Sequence, residues 1–251
     1  IISINNYSLF ILFIDIVCFK FIDKVIFSNH IYMHNTVKNL TNIENNIKIH
    51  LNKLNIYNHP KIVAVSKTFK IDKILPLIDH GHLDYGENKV QEAVEKWTEI
   101  KKKHSQLKLH MIGKLQTNKV KFAVQIFDYI HSVDSEKLAR KIADEQNKIN
   151  KKIKIFLQVN IGDENQKSGI NKNDVSQLAS FCKEIGLDVI GLMCIPPADN
   201  EPDVYFKEMY KLNKAQDFTD LSMGMSSDFL KAAEYLSTYL RIGSSIFGSR
   251  S

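Results

Sequence analysis

The sequence predicts a protein of the α/β class, folded as a single (β/α)8 barrel of the TIM type. Three observations lead there. About eight short apolar runs recur along the chain, nearly all separated by helix-period patterns, which is the signature of βα units and a parallel sheet. The length of 251 residues suits a barrel, which typically needs roughly 250. No G-x-G-x-x-G follows the first strand, which argues against a dinucleotide-binding Rossmann sheet and leaves an open doubly wound sheet as the alternative.

The elements follow in order. Thr41 to Glu44 matches a capping box, and Leu40, Ile43, Ile47, Leu51 and Leu54 repeat at helical spacing beside it. Ile62 to Val65 is a short, wholly apolar strand. A helix is expected from about Asp72, with Pro76 near its start and Gly81 beyond its end. Leu83 to Gly86 reads as the second strand, and Val90, Val94 and Trp97 mark the next helix. Leu107 to Ile112, Tyr129 to Val133 and Ile153 to Ile161 are further strands, the last two separated by a helix over Ser135 to Asn147. Val175, Leu178, Ala179, Cys182 and Ile185 define another helix, ended by Gly186. Val189 to Ile195, Leu221 to Met223 and Tyr239 to Ile242 complete the strands.

Composition narrows the class. With 44% hydrophobic and 25% charged residues the chain can bury a core, which excludes bulk disorder. The formal charge of +6 suits an anionic ligand or simply a lysine-rich surface; no basic run interleaved with aromatics suggests nucleic acid. Cys18, Cys182 and Cys194 are too few and too scattered for a disulfide framework, which fits a reducing, cytoplasmic setting. His80 and His82 have no further ligand at metal spacing, so no metal is expected. Residues 1–33 read differently from the rest. Their apolar run is broken by Asp15, Lys20, Asp23 and Lys24, which argues against a stable membrane helix. A leader and a membrane-associating helix are the alternatives to the favoured reading, upstream sequence outside the mature protein, since Met33 stands just before the first well-formed helix. The barrel domain is expected over 34–251, with 1–33 as an extension outside the fold.

In a barrel the chemistry lies at the C-terminal ends of the strands. The first strand ends Val65-Ser66-Lys67-Thr68, which aims a lysine at the mouth. Burial disfavours an ammonium, and the free amine is the form that attacks a carbonyl, so Lys67 is a candidate Schiff-base lysine. A snorkelling surface lysine is the competing reading. The last two strands lead into Ser222-Met223-Gly224-Met225-Ser226 and Arg241-Ile242-Gly243-Ser244-Ser245. Both segments are small and hydroxyl-rich, as a phosphate cradle after strands seven and eight would be; two ordinary turns are the alternative. Closure of the barrel would place Lys67 beside both. If a phosphorylated pyridine lay across that mouth, Arg241 would face its ring nitrogen. A permanently charged guanidinium would leave that nitrogen unprotonated and the ring a poor electron sink.

These segments resemble a known family. Ala64 to Thr68, Tyr85 to Glu92, His110 to Lys119, Lys167 to Ile170, Gly191 to Met193 and both cradle motifs are similar, in the right order, to the pyridoxal phosphate homeostasis proteins. The resemblance runs from about Leu40 to Arg250. It implies a barrel like the N-terminal domain of alanine racemase, with pyridoxal 5′-phosphate (PLP) held covalently on Lys67. It further implies that Ser226, Gly243 and Ser244 hold phosphate, that Arg241 faces the pyridine nitrogen, and that Asn88 lines the pocket; Ser222 and Met223 complete the expected cofactor set. Leu109, Lys114, Tyr85 and Cys194 depart from the family's usual Trp, His, Phe and Thr. Tyr85 is expected to be a core residue with its hydroxyl satisfied.

Glu87 and His110 pose a choice between a general acid and base in the mouth and a hydrogen-bonded network holding the loops. Lys114 and Lys119 pose one between an anion site and solvated surface. Two functions follow for the whole chain. One is a carrier that sequesters PLP and passes it to apo-enzymes, expected to be monomeric. The other is a weak amino-acid racemase, for which the sequence offers no second acid/base group. A Schiff-base aldolase without PLP is a third reading, disfavoured by the pyridine-facing arginine.

Overall fold

The structure, a computed structural model, describes residues 33–164, 168–197 and 201–249. The chain divides into two units, 1–35 and 36–251. All but Met33 of the expected 1–33 extension lies outside the described residues. The second unit is a closed barrel of eight parallel strands: β1 (Lys61–Val65), β2 (Asp84–Glu87), β3 (Lys108–Met111), β4 (Tyr129–Val133), β5 (Lys154–Val159), β6 (Asp188–Cys194), β7 (Asp220–Ser222) and β8 (Tyr239–Ile242). Each pairs with the next, and β8 closes on β1 with Lys61 opposite Tyr239 and Ala64 opposite Ile242. The expected barrel is therefore the observed one, and the open-sheet alternative is excluded.

Nine α-helices appear among the described residues: α1 (Asn35–Lys53), α2 (Leu75–Asp79), α3 (Val90–Lys103), α4 (Val120–Ile126), α5 (Glu136–Lys148), α6 (Val175–Glu184), α7 (Pro202–Ala215), α8 (Phe229–Glu234) and α9 (Ser244–Phe247). The large apolar core includes outward-facing strand residues such as Ile62 and Ile130 and inward-facing helix residues such as Trp97, Ile142 and Phe206. A second, smaller cluster (Val63, Tyr129, Phe156, Met193 and Tyr239) is separate from it. Gly86 is inward-facing too, since a Cβ there would sit 2.9 Å from Val63 and 3.2 Å from Ile112. What is unusual is the company these residues keep. Asp84, His110, His131, Ser222 and Arg241 form a connected set of hydrogen bonds, and the last four are buried.

Two helical expectations need correction. The match at Thr41–Glu44 is not a cap: α1 begins at Asn35, because Val37 extends the apolar stripe upstream of Leu40. Leu54 falls just past the helix end and is exposed. The helix expected from Asp72 is instead a 3-10 turn, Ile71–Lys73, followed by α2, where Pro76 occupies one of the first two positions. At α5 the reading holds: Ser135 is the N-cap, its Oγ accepting from the Leu138 N–H at 3.3 Å.

Candidate functional site

At the C-terminal ends of the strands lies a cavity of about 300 Å³. Its polar wall is Lys67, Ser226, Ser227, Arg241, Gly243 and Ser244, and its apolar wall Val65, Ile112, Ile195 and Met225. Five of the eight residues expected to hold a cofactor thus meet in one place, brought from opposite ends of the chain by the β1–β8 seam.

The loop carrying Lys67 is held from behind. Thr68 adopts a left-handed backbone (φ 68°), which a β-branched residue takes only when its surroundings impose it. Its N–H donates to Glu92 Oε1 at 2.6 Å, and Lys96 Nζ donates to the Ser66 carbonyl at 2.9 Å. Ser66 Oγ donates to Glu87 Oε1 at 2.8 Å, which also receives Lys96 Nζ and Trp97 Nε1, each at 3.0 Å. Phe69 then stacks on Phe247 of α9 at 5.0 Å. Glu87 accordingly bonds to α3 and to Ser66, and it does not line the cavity. Burial pushes its carboxyl above the ordinary range, with Lys96, Trp97 and Ser66 opposing.

The two cradles are knitted together. Gly224 has φ +91°, and a Cβ there would lie 2.5 Å from that of Ala232, so the turn requires glycine. The Met225 N–H donates to Asp228 at 2.6 Å, and the Arg241 N–H to the Gly224 carbonyl at 3.0 Å. Ser226 Oγ accepts the Ser245 N–H at 3.3 Å, which joins the first cradle to the second. α9 begins at the cavity wall, and Asn39 of α1 pins its far end by donating to the Ile246 carbonyl at 2.9 Å. Backbone N–H groups at a helix start, flanked by serines, favour an anion.

Arg241 is 5% exposed. Its Nη1 donates to Ser222 Oγ at 2.7 Å and its Nη2 to the Cys194 carbonyl at 2.8 Å. Burial draws its pKa down, yet a guanidinium keeps its charge in proteins. Two of its five N–H donors are thereby spent, and the side chain still reaches the cavity wall.

The remaining expected residues sit elsewhere. Ser222 is fully buried behind Arg241, and Met223 is part of the core, so neither side chain lines the cavity. Asn88 is half-buried, and its Oδ1 has no hydrogen-bond partner among the described residues; its carbonyl lies 2.5 Å from where a Cβ on Gly113 would be. It too is off the cavity wall. Tyr85 is a core residue, as expected, packed on Trp97, but its buried hydroxyl has no partner among the described residues, contrary to expectation. Cys194 is buried, which pushes its thiol up to about 12 and keeps it protonated. Lys114 borders a neighbouring cavity of about 310 Å³ with Gln158, Asn160 and Ser168; Ile112 and Ile195 line both. His110 is fully buried rather than in the mouth, bonded to His131 and Asp84. His131 and Asp84 were not foreseen. The signal was present at the first of them: a histidine among apolar residues in Tyr129-Ile130-His131, at an inward-facing register position.

The chain is similar to known proteins along most of its length. Residues 39–251 match the model of the alanine racemase N-terminal domain. A pyridoxal phosphate homeostasis protein of Haemophilus influenzae is 38% identical over 205 residues, 77% of this chain and 86% of that one. Among solved structures, PipY of Synechococcus elongatus, in a form with PLP bound, is 31% identical with a TM-score of 0.69, covering 80% of this chain and all of that one. An alanine racemase of Clostridium difficile shares the fold at a TM-score of 0.63 and 16% identity, covering 82% of this chain and 57% of the racemase.

Proposed function

Since the chain belongs to the alanine racemase N-terminal domain family, and within it groups with the pyridoxal phosphate homeostasis proteins, we propose that it binds PLP in the mouth cavity and serves to sequester and deliver it. The observation that carries this reading is the composition of one cavity wall: an amine, a serine-lined cradle and a guanidinium around about 300 Å³. That donor set suits a phosphorylated pyridine aldehyde. Ser226, Gly243 and Ser244 would take the phosphate, Lys67 the aldehyde carbon as a Schiff base, and Arg241 the ring nitrogen. When bound, the cofactor supplies an electrophilic carbon to amines.

The side chains favour holding over turnover. Among the described residues that line the cavity, Lys67 is the one able to take up and return a proton, because arginine stays charged and serine hydroxyls do not titrate. Racemisation calls for a group on each face of the carbon, so any racemase-like activity is expected to be weak. Delivery to apo-enzymes, a monomeric state and a cytoplasmic setting complete the proposal. Buried free thiols at Cys182 and Cys194 accord with a reducing compartment. No helix among the described residues is long and apolar enough to cross a membrane.

The test is an absorbance spectrum with PLP before and after borohydride, followed by peptide mapping. A band near the visible edge should collapse on reduction and leave the label on the peptide containing Lys67, and Lys67→Ala should abolish labelling. A label on another lysine would overturn the assignment. No band at all would return the aldolase reading to the front.

A further inference from the structure

We propose that His131, His110 and Asp84 are positioning residues for Arg241, forming with Ser222 a one-way hydrogen-bonded column that fixes how the guanidinium is presented to a bound pyridine ring. The inference rests on the cofactor reading above, but its first test does not.

The column is continuous. Arg241 Nη1 meets Ser222 Oγ at 2.7 Å, Ser222 Oγ meets His131 Nδ1 at 2.8 Å, His131 Nε2 meets His110 Nδ1 at 2.9 Å, and His110 Nε2 meets Asp84 Oδ1 at 2.9 Å. It starts at the mouth and ends on the first residue of β2, beside a cavity of the opposite face lined by Lys48, Lys61 and His82. Both histidines and Ser222 are fully buried. Aromatic rings wall the column: His110 stacks on Tyr129 at 4.2 Å and His131 on Phe156 at 4.3 Å.

Donor and acceptor counting leaves one proton arrangement. Asp84 is ionised: burial works to raise its carboxyl, but the hydrogen bond from His110, with the charge of Lys61 nearby, outweighs it and holds it low. A carboxylate accepts, so His110 Nε2 carries a proton. Burial draws His110 down, with Asp84 opposing, so the ring is neutral and its Nδ1 is bare. His131 Nε2 must then donate to it. Burial, with the charge of Arg241 nearby, pushes His131 well below the usual imidazole range, so it is neutral as well, and its Nδ1 accepts from the Ser222 hydroxyl. Ser222 in turn accepts from Arg241. Every donor has an acceptor. The reverse arrangement has His131 Nδ1–H pointing at Ser222 Oγ. The hydroxyl oxygen would then accept twice, from His131 and Arg241, and its own proton would be left without an acceptor, a costly outcome in a buried site.

This gives Arg241 an answer to its charge. Among the described residues no carboxylate is in ion-pair contact with it; its partners are a hydroxyl and a carbonyl. Asp84 answers the guanidinium through four polarised hydrogen bonds instead of one direct pair, which leaves the cavity-side N–H groups available.

The first experiment uses the unaltered protein without PLP. Nitrogen–proton correlation NMR at pH 7 should show His110 and His131 neutral and protonated at Nε2. An imidazolium or an Nδ1–H form at His131 overturns the column. The second compares His131→Gln with His131→Leu in protein loaded with PLP. A glutamine amide can both accept from Ser222 and donate to His110, whereas leucine can do neither. Leucine should shift the absorbance band of bound PLP and weaken its affinity roughly tenfold, as leaving the buried Ser222 hydroxyl without its acceptor implies. Glutamine should restore most of both. A leucine variant with unchanged band and affinity overturns the positioning role. If the unaltered protein binds no PLP, the cofactor reading fails, and the tautomers still stand or fall by NMR.

Discussion

Gly224 shows how much a single residue contributes to the mouth. Its positive φ and its 2.5 Å approach to Ala232 leave no space for a Cβ. Gly224→Ala is expected to lose roughly 1–3 kcal/mol of stability and to displace the Arg241 strand, whose N–H bonds to the Gly224 carbonyl. Denaturant titration reads the first effect and PLP affinity the second; an alanine variant as stable as the parent would show that the turn relaxes freely. At this scale the site was partly legible. Lys67, Ser226, Arg241, Gly243 and Ser244 could be read because each lies within four residues of the C-terminal end of a strand, where a barrel exposes its chemistry. Ser222 and Met223, also at a strand end, are occupied elsewhere: Ser222 is buried between Arg241 and His131, and Met223 is in the apolar core. His131 escaped notice because nothing near it in sequence hints at a partner 91 residues away.

Among the elements, α3 has a task beyond covering the sheet. Lys96 ties it to the Ser66 carbonyl and to Glu87, while pairing with Glu92 within the helix, and so braces the loop that carries Lys67. Glu87 binds its proton more tightly folded than unfolded, because burial raises its pKa. Its contribution to stability is therefore greatest below the ordinary carboxylate range and falls as pH rises through the raised folded value. Lys96→Met removes the largest opposing influence and should deepen that fall. The expected loss is about 3 kcal/mol at pH 8, where a buried carboxylate would be left uncompensated, and clearly less at pH 5. Equal losses at both values in denaturant titrations would contradict this account. Element boundaries were legible mainly where a cap or breaker marks them, as Ser135 does for α5. They failed at α1, where a chance capping pattern fell inside a helix that apolar periodicity had already begun.

For the whole molecule, the repeated βα pattern and the length of the chain were enough to identify the barrel, because closure needs only the right number of strands with helices between them. Residues 36–251 form one unit with a core of their own. We propose that a chain beginning at Met33 folds unaided. It should unfold in a single transition, with the midpoint and PLP band of the full chain; a lower midpoint in thermal circular dichroism would show that the preceding segment contributes to the fold. The column inside the barrel has one more implication, for how the chain tells a correct ring from a near miss. His131 on β4 and Ser222 on β7 are three strands apart, so an uncurled sheet would hold them about 14 Å from each other, at about 4.8 Å per strand. Their 2.8 Å contact exists only once the sheet has rolled up. A half-rolled intermediate would carry a buried guanidinium and two imidazoles with unmatched protons, and water would be drawn in to solvate them. The same side chains that present Arg241 to a ligand therefore penalise every incompletely rolled sheet, so that ligand readiness and completion of the ring arrive in one step.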